Sequence, residues 1–317
     1  MIQDIKPHQL DNQYHPEREP EPDDYVLSYQ SQKILCNTTG GELRLPRVKD
    51  LSKKENLIYL FSIDEKAFFL MPETAGAVMV ENPYASDSSE SGNSLVSGHV
   101  KEDEPVVLYG DMAECPDTSD VGYSYQNVWR NRRGIKAEQE LMFAVATGKH
   151  LSHWYRTNRF CGCCGHATEN DKKERALICP SCGNRIYPRL VPAVIIAVTN
   201  GDTILVTKYG DRDLPFYALV AGFVEIGETL EECVEREVME EVGLHVKNIR
   251  YYKSQPWGIV DDVLMGFWCE VDGDPTIHLD HQELKEGIWA KRGEVPLQPD
   301  HFSLTGEMMR VFNEGRL

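Results

Sequence analysis

The 317-residue chain predicts an α/β (α+β) fold with more strand than helix. Three observations carry that expectation. The apolar stretch VPAVIIAVTNGDTILVTKYG, Val191 to Gly210, is split by an Asn200-Gly201 turn signal into two strands. The segment Thr229 to Val242 puts Leu230, Val234, Val238 and Val242 at i, i+4 spacing, the apolar stripe of a helix, and Gly243 is placed to end it. Strand-like FYALVAGFVEI and VLMGFWCEV (263–271) flank that helix, and a last helix is expected near Thr305 to Asn313.

The remaining elements follow in chain order. LIYLFSI (57–63) and KAFFLMP (66–72) are β-rich runs joined at Asp64-Glu65, which reads as a hairpin. The segment Tyr84 to Glu104 is rich in Ser, Gly and acid with few apolar residues, and is expected to be a mobile excursion. From Lys136 to Tyr155, Leu141, Phe143, Ala144, Val145, Leu151 and Trp154 recur at helical spacing. The composition then divides the chain into an N-terminal α+β domain (1–150), a cysteine cluster (151–190) and a third domain (191–317), with no internal repeat.

A hydrophobic share of 41% supports a real core. The net charge of -18 argues against a broad surface for DNA or RNA, which needs clustered Lys and Arg. It leaves room for a small polyanion bridged by a metal cation. No run of 18 apolar residues appears and the N-terminus is polar, so no membrane partner and a cytoplasmic location are expected. The terminal Gly315-Arg316-Leu317 loosely resembles a peroxisomal address, which is the alternative.

Five of the nine cysteines lie between Cys161 and Cys182. The pairs Cys161-x2-Cys164 and Cys179-x2-Cys182 have the spacing of two metal-binding knuckles, each followed by a glycine. Four thiolates leave no open position for a reacting water, so this pattern predicts structural zinc and leaves Cys163 out of the ligand set.

The stretch Gly222 to Gly243 holds eight glutamates and one arginine in 22 residues. An ordinary solvated helix face accounts for part of the run, because Arg236 lies four residues from both Glu232 and Glu240. Glu237 and Glu241 have no lysine or arginine three or four residues away, and this asks for a cation from outside. Carboxylates on one face are hard oxygen ligands suited to Mg2+ or Mn2+.

Gly222, Glu228, Arg236-Glu237, Glu240-Glu241 and Gly243 stand at the spacing of the Nudix box, and the sequence resembles the Nudix hydrolase family at every position of it. Chance gives such a match roughly once in 10^8 windows. The cysteine ribbon ahead of the box, the phrase YPR (Tyr187 to Arg189) and SQPW (Ser254 to Trp257) make the chain similar to the NADH pyrophosphatase subfamily.

That resemblance implies an α/β/α sandwich around a mixed sheet, and hydrolysis of NAD+ or NADH to AMP and nicotinamide mononucleotide with Mg2+ or Mn2+. It implies metal ligands Ala221 (carbonyl), Glu237, Glu241 and Glu283, and a catalytic set completed by Glu228, Arg236 and Glu240. Substrate contacts are implied at Arg132 (or Arg133), Glu174 and Tyr187, and along Gln255, Pro256, Trp257, Gly258, Asp261 and Asp262. A homodimer with a shared site is implied as well. ADP-ribose, dinucleoside polyphosphates and the NAD cap of RNA share the diphosphate, and the strip Tyr155 to Arg159 offers local positive charge for RNA. A ligand sensor would be the non-catalytic rival, but every box glutamate is present. The chain reads SQPW-GIVDD where the subfamily has a proline-aromatic turn, so Asp261 and Asp262 are expected to add negative charge that favours the cationic ring of NAD+.

Overall fold

The computed structural model describes residues 1–51, 54, 56–72, 77–79, 107–109, 122–210, 216–280 and 283–316. The excursion expected at Tyr84 to Glu104 lies outside them.

In the N-terminal part, β1 (Leu10–Asp11), β2 (Tyr25–Leu27), β3 (Ile58–Ile63) and β4 (Lys66–Leu70) form one sheet in the order β1-β3-β4-β2. The expected hairpin is present: Ile63 pairs with Lys66, and Asp64 takes the left-handed conformation at φ +54°. Helix α1 (Gln139–Thr157) packs Met142, Phe143, Val145, Leu151 and Trp154 into a core with Leu27, Phe61, Phe68 and Leu70. It starts three residues later than the apolar spacing predicts. Lys136 is held in extended backbone instead, bridging to Glu42 and donating its N–H to the carbonyl of Gly41 at 2.6 Å.

A small three-stranded sheet of β5 (Glu169–Asn170), β6 (Leu177–Ile178) and β7 (Arg185–Ile186) surrounds the cysteines. The third region is built on β8 (Val191–Asn200), β9 (Thr203–Tyr209), β10 (Val220–Phe223), β11 (Val246–Trp257), β12 (Asp262–Val271) and β13 (Leu284–Lys291). Their order is β11-β12-β8-β9-β13, with β10 also on β8. The β8–β12 pair is parallel and the others are antiparallel, so the sheet is mixed.

Strand β8 shows why this part is a sandwich. Alternate side chains point to opposite faces of a strand. Ala193, Ile195 and Ala197 join a core with Met308, Met309 and Phe312 of the last helix, α3 (Leu304–Asn313). Val194, Ile196 and Val198 join a core with Val234, Val238 and Val242 of α2 (Leu230–Val242). Each of these fully buried valines contributes about 1.5 to 3 kcal/mol of transfer free energy. The α/β/α layering expected from the box is therefore the observed one.

Strand β10 is shorter than the run FYALVAGFVEI predicts. After Val224 the chain leaves the sheet, because the Glu228 carboxylate accepts the N–H of Glu225 at 3.0 Å and Gly227 turns at φ +89°. That departure brings the chain directly into α2.

Candidate active site and zinc ribbon

Helix α2 opens on Thr229, whose hydroxyl accepts the N–H of Glu232 at 3.2 Å while the Glu232 carboxylate accepts the N–H of Thr229 at 2.8 Å. This reciprocal cap fixes the first turn. It also corrects the expectation that Glu232 shares Arg236, since the Glu232 carboxylate is turned back to the cap. The Thr-x-x-Glu spacing was visible in the sequence and was the available signal. At the other end Gly243 takes φ +66° and donates its N–H to the Met239 carbonyl, ending the helix where expected.

Arg236 gathers the box. Its Nε and Nη2 donate to the two oxygens of Glu228 at 2.7 and 2.9 Å, and Nη2 also donates to the Phe223 carbonyl at 2.9 Å. Its Nη1 donates to Glu237 at 2.8 Å and to Glu240 at 3.0 Å. The Arg236 guanidinium holds the Glu228 carboxyl down to about 2. Glu237 therefore has a cationic partner after all. Residues at i, i+1 do not face each other along a helix, but the arginine stem is long enough to fold across.

Burial pushes the Glu237 carboxyl above its ordinary value, with Glu240 and Glu283 acting in the same direction against Arg236. Glu283 lies immediately before β13. The Glu237 carboxylate lies over Gly222 of β10: a side chain there would collide with it, an ideal Cβ falling 1.8 Å from its carboxyl carbon. Ala221 is the neighbouring residue in β10, paired with Ile195. Glu241 is only 4% exposed, deep beside the valine stripe. Two of the glutamates expected to bind metal are therefore held in or against the fold, while Glu240 and Glu283 stand exposed. Among the described residues, only the cysteine set brings three or more ligand atoms within 4.8 Å of one another.

That set is Cys161, Cys164, Cys179 and Cys182, as the spacing predicts. Sulfur separations are 3.4 to 3.7 Å. The two knuckles repeat one geometry. Gly165 donates to the Cys161 carbonyl at 2.8 Å and Gly183 to the Cys179 carbonyl at 2.9 Å, with φ of +76° and +74°. A residue with a Cβ is strained in that conformation, which is why glycine follows each pair. Backbone N–H groups, that of Cys163 foremost, hold the Cys161 thiol down to about 6. Cys163 thus supplies its amide, while its own side chain is exposed and outside the set. The four-thiol donor set fits zinc.

The implied substrate contacts divide into two kinds. On the ribbon, Tyr187 is 53% exposed and donates its hydroxyl to Glu174 at 2.7 Å. Pro256 is exposed, and Trp257 is half-buried with its ring 6.2 Å from that of Trp129. The others are occupied within the chain. Arg132 donates to Asp300 at 2.9 Å through Nε and at 2.7 Å through Nη2. Gln255 is 0% exposed: it donates to Gln3 and the Phe302 carbonyl and accepts from the N–H of Leu304. Its amide is fully committed to tying β11 to both ends of the chain, which corrects the expectation that it lines a pocket.

Asp261 is buried at φ +67°, with His153 Nδ1 at 2.5 Å, Arg189 Nη2 at 3.5 Å and His150 Nε2 at 3.9 Å. The expectation of free negative charge from Asp261 is corrected by these partners. Asp262 is buried too, and burial, reinforced by Asp261, raises its carboxyl to about 6. Gly258 packs against α1, where a Cβ would come 2.4 Å from the Ala146 carbonyl oxygen. Sequence spacing held no signal for His153, Arg189 or Asp300, because these partners are distant in the chain.

This sheet, helix and glutamate cradle define a Nudix domain: the NUDIX domain family matches residues 189–312. The NADH pyrophosphatase zinc ribbon domain matches residues 156–187, directly ahead of the stretch that matches the NUDIX domain. The NAD-capped RNA hydrolase NudC of Photobacterium profundum is 40% identical over 168 residues, 53% of this chain and 63% of that protein. The protein of the same name from Salmonella typhimurium is 39% identical over 168 residues, 53% of this chain and 65% of that protein. The matched stretch thus spans less than two thirds of each relative. A NUDIX hydrolase structure from Nitrosomonas europaea is 23% identical at a TM-score of 0.44, covering 50% of this chain and 92% of that one. Among the described residues no helix is long and apolar enough to cross a membrane.

Proposed function

We propose that the protein hydrolyses the diphosphate of an NAD moiety, releasing AMP and nicotinamide mononucleotide from NAD+ or NADH. The observation that carries this reading is the placement of Glu237 over Gly222 with Glu241 buried beside it. A half-buried and a buried carboxylate on one helix face are hard oxygen donors of the kind that fits a divalent cation. Glu237, Glu241, Glu283 and the Ala221 carbonyl would hold Mg2+ or Mn2+, with Glu240 as a further ligand or as the group orienting the attacking water. The metal, when bound, neutralises the diphosphate and lowers the pKa of that water.

The chain's own contribution is positioning, on which phosphoryl transfer chiefly depends. Arg236 fixes Glu237 and Glu240 against Glu228, so these carboxylates keep one arrangement. The ribbon brings exposed Tyr187 and Glu174 as one hydrogen-bonded pair able to meet a nucleotide. In the division of labour we propose, residues 1–150 and the ribbon at 151–190 are framework and binding surface, and 191–317 carries the chemistry. A homodimer with a shared site belongs to the same reading.

The name of the two relatives, NAD-capped RNA hydrolase, supports a second substrate with the same diphosphate at an RNA 5′ end. The test is a product assay by HPLC with Mn2+ on NAD+, NADH, ADP-ribose, diadenosine polyphosphates and 5′-NAD-RNA. AMP and nicotinamide mononucleotide from NAD+ or NADH are expected, or 5′-monophosphate RNA from the capped substrate. Cleavage confined to ADP-ribose or the diadenosine compounds would overturn the reading.

A further inference from the structure

A second cavity, of about 290 Å3, lies between α1, the turn at Ser31-Gln32 and the Trp257–Asp262 turn. It shares Asp261 with the implied substrate contacts and Arg156 with the strip Tyr155 to Arg159, and none of the α2 carboxylates lines it. Lys149, His153, Arg156, Arg189 and Asp261 line it, together with Ser31. Lys149, Arg156 and Arg189 are three cations facing the one carboxylate of Asp261, in a chain whose net charge is -18.

One carboxylate, Asp261, answers these three cations only in part. Lys149 is buried and donates only to neutral oxygens, Gln32 Oε1 at 2.5 Å and the Ile259 carbonyl at 2.7 Å. The Arg156 guanidinium makes no hydrogen bond or ion pair with any described residue. Asp261 is already engaged by His153 and Arg189. Asp261 is the one carboxylate whose charge acts on Lys149, against the effect of burial, and a buried ammonium so weakly compensated is costly unless something anionic approaches it.

The walls are preset. Gly148 lets α1 press on the N-terminal sheet, since a Cβ there would fall 2.2 Å from Leu27 Cδ1 and 2.8 Å from Tyr29 Oη. Gly258 does the same on the other side against Ala146. Two lining residues other than glycine, Ser31 at φ +55° and Asp261 at φ +67°, hold left-handed backbone, a strain of about 1 to 3 kcal/mol each that concentrates at binding sites.

We propose that this cavity binds a small phosphate-bearing anion, with Lys149, Arg156 and Arg189 as the charged contacts. It lies at the lower edge of the roughly 300 to 1,000 Å3 typical of ligand pockets, so phosphate or a pentose phosphate fits and a dinucleotide does not.

Isothermal titration calorimetry on the zinc-loaded protein, with no added Mg2+ or Mn2+, tests this using inorganic phosphate, ribose 5-phosphate and ribose. One saturable site is expected for a phosphate-bearing probe and none for ribose. Tighter binding of ribose 5-phosphate than of phosphate identifies a sugar phosphate, and the reverse identifies the free ion. Arg156 is exposed, so Arg156→Gln keeps the fold and should weaken binding at least tenfold. Lys149→Met should abolish binding with an unchanged circular dichroism spectrum, and Glu241→Gln should leave it intact. The proposal fails if neither phosphate probe saturates, or if binding survives Arg156→Gln or Lys149→Met at wild-type strength.

Discussion

The Glu237 carboxylate occupies the space that a side chain on Gly222 would need, 1.8 Å from an ideal Cβ. The box glycine is thus required by a glutamate 15 positions further along the chain. Gly222→Ala should push Glu237 out of its bond with Arg236. A displacement of about 1 Å at a reacting centre costs about 100-fold in rate. We expect kcat on NAD+ to fall by at least that much, with circular dichroism unchanged. Wild-type kcat in this variant would mean that Glu237 need not sit there.

Glu241 is buried beside the valine stripe, and Glu241→Gln keeps its shape while removing the charge. Turnover should drop by about three orders of magnitude, as when one member of a catalytic unit is lost. Single-turnover kinetics with Mn2+ would measure it, and a loss below tenfold would place the cradle elsewhere.

Zinc analysis should find one ion per chain. Cys164→Ser and Cys179→Ser should lose it, and Cys163→Ser should keep it, because only the first two belong to the converging set. A strong chelator should lower Tm, since binding free energy at a structural site is folding free energy. Retained zinc in Cys179→Ser would refute the assignment.

Asp262 is buried, its Oδ1 makes no hydrogen bond, and its carboxyl is raised to about 6. Between its unfolded value near 4 and about 6 the folded chain binds more protons than the unfolded one. This group's contribution to stability therefore falls as pH rises through that window. Asp262→Asn should stabilise the protein at pH 8 and have little effect at pH 4. Urea midpoints at the two pH values check this, and an equal shift at both would exclude the titration.

Asp261→Asn should leave the ratio of kcat/KM for NAD+ and NADH unchanged, because the carboxylate is buried, bonded to His153 and paired with Arg189. Asparagine tolerates the φ of +67°, so the backbone can stay. Loss of the paired carboxylate should cost roughly 1 to 3 kcal/mol of stability, read from thermal and urea unfolding. A change in the NAD+ to NADH ratio would restore the expectation drawn from GIVDD.

The zinc ligands, both helix ends of α2 and the sandwich class were legible because each rests on short spacing or on periodicity. Two Cys-x2-Cys pairs with trailing glycines specify a knuckle locally, and an i, i+4 valine stripe specifies which face of a helix is buried. Long-range pairing left no such trace. Arg236 reaches Glu228 eight positions back, Arg132 reaches Asp300, and Gln255 reaches Gln3 and Phe302.

The sequence by itself determined that four thiols would meet and that one helix would carry the carboxylates. Only the tertiary structure decided which carboxylates are buried, that Glu237 has Arg236 as a partner, and that Asp261 is bonded to His153 of α1 and paired with Arg189. Ligand spacing and periodicity are local properties of a chain. Burial and charge pairing arise only when distant segments remove water from between them, and that is settled by packing.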